Sequence, residues 1–186
     1  KKIIFIILLS LGVSSEWIDI SSANPESSNI DVLSSDLETT SLSFNLSGFY
    51  LNSVIIDDEE YFTVSFPQSG SLLEQGNPDL PRISNSIIIS NDKKVRYEIL
   101  DSEYIEYRNI KIAPSKGNLS RDINPSSIPY QFSDLYNSNT FFPQEIIEIS
   151  EPYILRDFRG VAVQFSPVQY NPKTHVLRVY TFLELN

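Results

Sequence analysis

The chain contains no cysteine and no methionine, a single tryptophan and a single histidine, His175. Without cysteine, disulfides, thiol nucleophiles and thiolate metal sites are excluded, so the fold must be held by an ordinary apolar core. Positive charge is also scarce: 14 Lys and Arg face 24 Asp and Glu, a formal net charge of −10. With no Lys/Arg cluster to neutralise phosphates, nucleic acid and anionic membranes are disfavoured as partners. Long apolar runs are missing except at the start, where Ile3–Val13 is broken only by Ser10 and Gly12. That run is far short of the ~20 residues a bilayer span requires. Preceded by Lys1-Lys2 and followed by Ser14-Ser15-Glu16, it reads as a secretory signal peptide over residues 1–15, with cleavage expected after Ser15. The mature chain from Glu16 then has no membrane span, and loss of Lys1 and Lys2 takes its net charge from −10 to −12. Its length suits one domain with a sizeable core.

Long helical periodicity is absent as well. Residues 16–40 are rich in Ser, Asn, Asp and Glu, with Pro25 among them, and are expected to form a polar arm or linker. Beyond them apolar residues alternate: Leu42, Phe44 and Leu46; Phe62, Val64 and Phe66; Val95, Tyr97 and Ile99; Val161, Val163 and Phe165. A period of two marks half-buried strands. Ser69-Gly70, Gly76-Asn77-Pro78, Asn91-Asp92 and Asn171-Pro172 punctuate these runs as turns, the last linking 161–170 to 175–185 as a hairpin. A short helical turn is expected near Ser133–Tyr136 with Ser133 as its cap. Residues 41–186 are therefore expected to form one all-β domain, an antiparallel β-sandwich of jelly-roll type.

Little in the chain points to catalysis. His175 follows a turn, no nucleophile-elbow pattern accompanies the abundant Ser and Asp, and no catalytic residue is assigned. Asp57-Asp58-Glu59-Glu60 lacks the ligand spacing and central glycine of a calcium loop and reads as a solvated turn, so neither a metal nor a cofactor is expected. The segment from Ile112 to Pro125 is different. Ile-Ala-Pro-Ser-Lys-Gly-Asn-Leu-Ser-Arg-Asp-Ile-Asn-Pro carries two cations, Lys116 and Arg121, on an irregular stretch between strands. Solvated surface charge is the ordinary reading of such residues; a buried anchor in a partner's acidic pocket is the alternative, since a guanidinium pairs bidentately with a carboxylate.

Three blocks decide between these readings by resemblance. Gly76-Asn77-Pro78-Asp79-Leu80-Pro81, the Ile112–Pro125 segment, and Glu151–Gly160 running on to Gln169-Tyr170-Asn171-Pro172 resemble, in order and spacing, the propeptide of gingipain-type (C25 family) cysteine endopeptidases. The resemblance covers most of the chain from Gly76 to Leu185, whereas residues 16–75 match only in general character. It implies a secreted bacterial pro-segment, located in the periplasm or at the cell surface, that is not itself an enzyme. Such a segment assists folding of a caspase-like cysteine protease domain and keeps it latent, in cis or in trans; the protease domain is absent from this chain. The resemblance further implies an inhibitory loop whose basic residue enters the primary specificity pocket. Arg121 occupies that position, flanked by Leu119, Ser120 and Asp122, and Lys116 is the fallback anchor. Arg156, Asp157 and Arg159 in the closing block are expected to form structural ion pairs.

Two other classes compete. A cell-surface β-sandwich module binding glycan or protein would expose Tyr104, Tyr107, Tyr130 and Tyr136 on one face. A hydrolase in its own right would need a cleft and a partner group around His175.

Overall fold

Alternation in the sequence becomes sheet wherever one face of a strand can be buried. A computed structural model describes residues 15–186 except Asn29, Leu37 and Lys93. Among the described residues thirteen strands form: β1 (Ser15–Asp19), β2 (Ile30–Ser35), β3 (Thr40–Asn45), β4 (Gly48–Ile56), β5 (Glu59–Ser65), β6 (Gly70–Ser71), β7 (Pro81–Ile88), β8 (Ile99–Arg108), β9 (Ile147–Ile149), β10 (Tyr153–Leu155), β11 (Phe158–Phe165), β12 (Val168–Asn171) and β13 (Val176–Leu185). Every strand pair is antiparallel.

The strands make three sheets. In the first, β13 lies between β8 on one edge and β12 and β3 on the other, with β2 beyond β3. In the second, β11 pairs with β7 on one edge and with β9 and β10 on the other, and β6 extends β7. The third joins β1, β4 and β5. The two larger sheets meet at Phe44 of β3, whose ring stacks on Phe165 of β11 at 6.0 Å and leans on Phe66 at 6.3 Å. Phe49, Leu51 and Val64 of the third sheet enter the same core. The fold is thus the expected all-β antiparallel sandwich.

Turn chemistry follows the acidic residues. Asp57 and Asp58 both have positive φ, 50° and 64°, and join β4 to β5. A two-residue hairpin requires this of its central pair, and Asp tolerates it. Glu59 and Glu60 are then spent on Lys111 at 2.9 Å and Ser53 at 2.8 Å.

Several expectations are corrected. Residues 16–40, read as a polar arm, carry β1 and β2, each paired along a neighbour. A few apolar side chains suffice to pin them: Trp17 packs edge-on against Tyr50 at 4.9 Å, and Ile18, Ile20 and Ile30 reach the core. Gly48 makes room for that tryptophan, since a Cβ there would lie 2.3 Å from the indole ring. Val95 and Tyr97 lie ahead of β8, with the Tyr97 hydroxyl donating to the Ile147 carbonyl at 3.2 Å. The run 161–170 divides between β11 and β12, which belong to different sheets. Arg156 and Asp157 form the turn between β10 and β11 and make no ion pair among the described residues; Arg159 has a structural role, donating to the Ser90 carbonyl at 2.7 Å. The signal-peptide assignment falls outside the described residues except for Ser15.

Between β8 and β9 the chain makes a long excursion whose only helical pieces are 3-10 turns at Pro125–Ser127 and Asp134–Asn137. This excursion carries both cations singled out in the sequence.

Candidate functional site

The excursion leaves the core at Ile112, Ala113 and Pro114, all buried. Pro114 bridges Pro78, the Asp79 N–H donates to the Ala113 carbonyl at 2.9 Å, and the Tyr136 hydroxyl donates to the Ile112 carbonyl at 2.9 Å. Burial raises the Tyr136 pKa, so this phenol stays a neutral donor.

Gly76 and Asn77 then act as a clasp. The Gly76 N–H donates to the Ser115 carbonyl at 2.9 Å, and the Ser115 N–H donates to the Asn77 carbonyl at 2.7 Å. Farther along the excursion, the Ser133 N–H donates to the Gly76 carbonyl at 3.0 Å and its hydroxyl to the Asn77 side-chain oxygen at 2.7 Å. Gly76 has φ of +83°, a conformation glycine enters without the usual Cβ penalty. Ser133 does precede the 3-10 turn as expected, but its side chain serves the clasp and makes no capping bond.

Within the clasped segment the two cations have different surroundings. Lys116 is folded back: its ammonium donates to the Pro125 carbonyl at 2.8 Å and lies 4.1 Å from the centre of the Tyr130 ring. It straps the segment across its width. Asn124 caps the 3-10 turn that begins at Pro125 by accepting from the Ser126 N–H at 3.0 Å. Arg121 lies on the stretch between the strap's two ends. It is exposed, and among the described residues its guanidinium takes part in no hydrogen bond or ion pair. Leu119 is half-buried, while Ser120 and Asp122 are exposed and hydrogen-bonded to each other. That hydroxyl and the residue's own N–H hold the Asp122 carboxyl below its ordinary pKa. The Ile123 N–H donates to the Ser120 carbonyl at 3.0 Å, closing a turn with Arg121 and Asp122 at its centre.

Beneath the clasp, Asp79 accepts a hydrogen bond from the Ser71 hydroxyl. Burial nevertheless raises its pKa. Sequence reasoning names Gly76 and Asn77 as a turn and Tyr130 as a candidate aromatic of a binding face, not as parts of this loop's support. The signal was there in Gly76-Asn77-Pro78, a turn whose glycine needs positive φ, but its partners lie far along the chain.

The four tyrosines do not share a face. Tyr104 and Tyr107 point to opposite sides of β8, the first beside Tyr180 and the second against Phe49 at 5.4 Å. Tyr130 lies under Lys116 and the Tyr136 hydroxyl is bound to the backbone. His175 borders a shallow cavity of about 360 Å³ with Glu59, Tyr61 and Ser133, but the Ser133 hydroxyl is committed to Asn77. Among the described residues no cluster of three acidic or histidine side chains is arranged to hold a metal ion. No helix of the described residues is long and apolar enough to cross a membrane.

Comparison with known families agrees with the pattern of blocks. The family model Propeptide_C25 matches residues 21–186. The chain belongs to this C25 propeptide family. Gingipain R2 of Porphyromonas gingivalis is 37% identical over 158 residues, covering 85% of this chain and 21% of the relative. The chain therefore spans about a fifth of the length of that relative. Among solved structures, a complex of the pro- and mature domains of RgpB from the same species superposes with a TM-score of 0.81 at 36% identity, covering 84% of this chain and 82% of that one. A structure addressing zymogenic latency of gingipain K gives 0.73 at 19% identity, over 93% of this chain and 98% of that one, and shows the shared fold. As a C25 propeptide, the chain is a non-catalytic pro-segment of a protease.

Proposed function

We propose that this C25 propeptide keeps a gingipain-like, caspase-like cysteine protease domain latent and assists its folding, in cis or in trans, by laying the clasped segment across its active-site cleft. The observation that carries this reading is the contrast between the two cations. Lys116 is consumed by the strap, whereas Arg121 is exposed and available to a partner. A guanidinium entering an acidic specificity pocket pairs bidentately with a carboxylate once water is excluded. The clasp and strap lower the ordering entropy such docking costs, which is preorganisation. The RgpB complex of pro- and mature domains supports a protease domain as partner. Residues 1–15, with their signal-peptide pattern, support export to the periplasm or cell surface.

The test is titration of the chain against an Arg-specific and a Lys-specific gingipain-type protease, with cleavage sites read by mass spectrometry. Tight inhibition of the first with slow cutting after Arg121 is expected. Absence of inhibition of both would overturn the reading.

A further inference from the structure

The bond after Arg121 sits where a protease has difficulty using it. Arg121 and Asp122 are the central pair of a tight turn closed by the Ile123 N–H on the Ser120 carbonyl at 3.0 Å. The Ser120 hydroxyl donates to the Asp122 carboxylate across the same turn. Ser at the first position and Asp within the turn are residues whose short side chains satisfy local backbone and side-chain groups in this way. Recognition of a peptide by strand addition, by contrast, uses extended backbone, and attack requires the reacting atoms to be aligned at near-contact distance. The Lys116 strap to Pro125 adds a second constraint, because it limits how far the segment between them can stretch.

We infer that Ser120 and Asp122 are positioning residues that hold the Arg121–Asp122 bond in a bent pose, so that Arg121 occupies the protease as an inhibitor and is cut only when this turn opens. The inference rests on the reading of Arg121 as the anchor. Cutting would transfer the Arg121 acyl group from the Asp122 nitrogen to the protease cysteine sulfur, the nitrogen taking up a proton. Water would then release the Arg121 carboxylate and return the thiol. Each of these steps needs the Arg121 carbonyl presented to the sulfur, and the closed turn withholds it. The guanidinium is exposed and, among the described residues, takes part in no hydrogen bond or ion pair.

The position of Asp122 suggests a simpler source of resistance, an acidic residue directly after the cleaved bond. Ser120 separates the two explanations, because its removal leaves that charge in place. Loss of a hydrogen bond to a charged group shifts an open–closed equilibrium by roughly tenfold or more.

The experiment follows the chain and its Ser120→Ala, Ser120→Thr and Arg121→Ala variants with an Arg-specific gingipain-type protease. Mass spectrometry reads the rate of cutting after Arg121, and hydrogen exchange reads the Ile123 amide. Ser120→Ala should be cut about tenfold faster or more, with faster exchange at Ile123 and an unchanged unfolding midpoint, while Ser120→Thr restores the slow rate. Equal cutting rates for Ser120→Ala and the unaltered chain, with Arg121→Ala unable to inhibit, would overturn the turn lock and leave the anchor standing. Full inhibition by Arg121→Ala would instead remove the anchor, and the lock with it.

Discussion

The Ser133 hydroxyl donates to the Asn77 side-chain oxygen at 2.7 Å, so the far end of the Arg121 excursion is fastened to the same two-residue turn that holds its near end at Ser115. Four hydrogen bonds join Gly76 and Asn77 to these two serines. At ~0.5–1.5 kcal/mol each, they are together worth a few kcal/mol. That suffices to keep an irregular segment in one pose while leaving its exposed residues free to meet a partner.

Gly76 is the residue in this clasp that no other side chain replaces cheaply. At φ of +83° an alanine incurs a left-handed penalty of ~1–2 kcal/mol, and its Cβ would contact the Gln131 carbonyl and Ser133. Gly76→Ala should lower stability in urea by that amount and raise hydrogen exchange at Ser115 and Ser133. An unchanged transition midpoint would contradict the clasp.

Asp79 gives the domain a pH signature. Its pKa is raised by burial, so the folded state favours the protonated carboxyl. The resulting penalty is absent below the unfolded carboxyl pKa, grows as pH rises toward the raised folded value, and is constant above it. Asp79→Asn removes the ionisation and keeps an acceptor for the Ser71 hydroxyl. It should therefore be more stable than the unaltered chain at neutral pH, with the gap closing on acidification. A gap that does not vary with pH, measured by urea unfolding, would contradict this.

Phe44 is the point where the two larger sheets meet, between Phe165 and Phe66, and it is fully buried. Phe44→Ala should cost about 3–5 kcal/mol, a large share of the stability of a domain this size. Denaturant titration checks it, and a loss below 1 kcal/mol would show that the sheets do not depend on this contact.

How much of this was legible in the sequence depended on burial. Leu42, Phe44, Val163 and Phe165 alternate because one face of their strands is in the core, and those strands were readable. β8 was not: among the described residues it pairs only with β13, at a sheet edge, and most of its residues are exposed, so no period of two marks it. β1 and β2 were missed because a polar average hid Trp17, Ile18 and Ile30. The candidate loop was found by resemblance and by its two cations. Their different fates were not legible, because Lys116 meets Pro125 and Tyr130 only once the segment has folded back. The clasp depends on pairings of Gly76 and Asn77 with Ser115 and Ser133, contacts between distant positions that local spacing does not record.

The central claim is that Arg121 occupies the protease and Lys116 only braces the loop. The measurement that tests it is the inhibition constant of Arg121→Ala and Lys116→Ala against an Arg-specific gingipain-type protease, with unfolding midpoints taken alongside. Loss of a buried anchor costs ~2 kcal/mol or more, so Arg121→Ala should weaken inhibition at least ~30-fold with the fold intact. Lys116→Ala, which loses only part of the preorganisation, should weaken it by less than about tenfold. An Arg121→Ala variant that inhibits as well as the unaltered chain, or a larger loss from Lys116→Ala, would contradict the account.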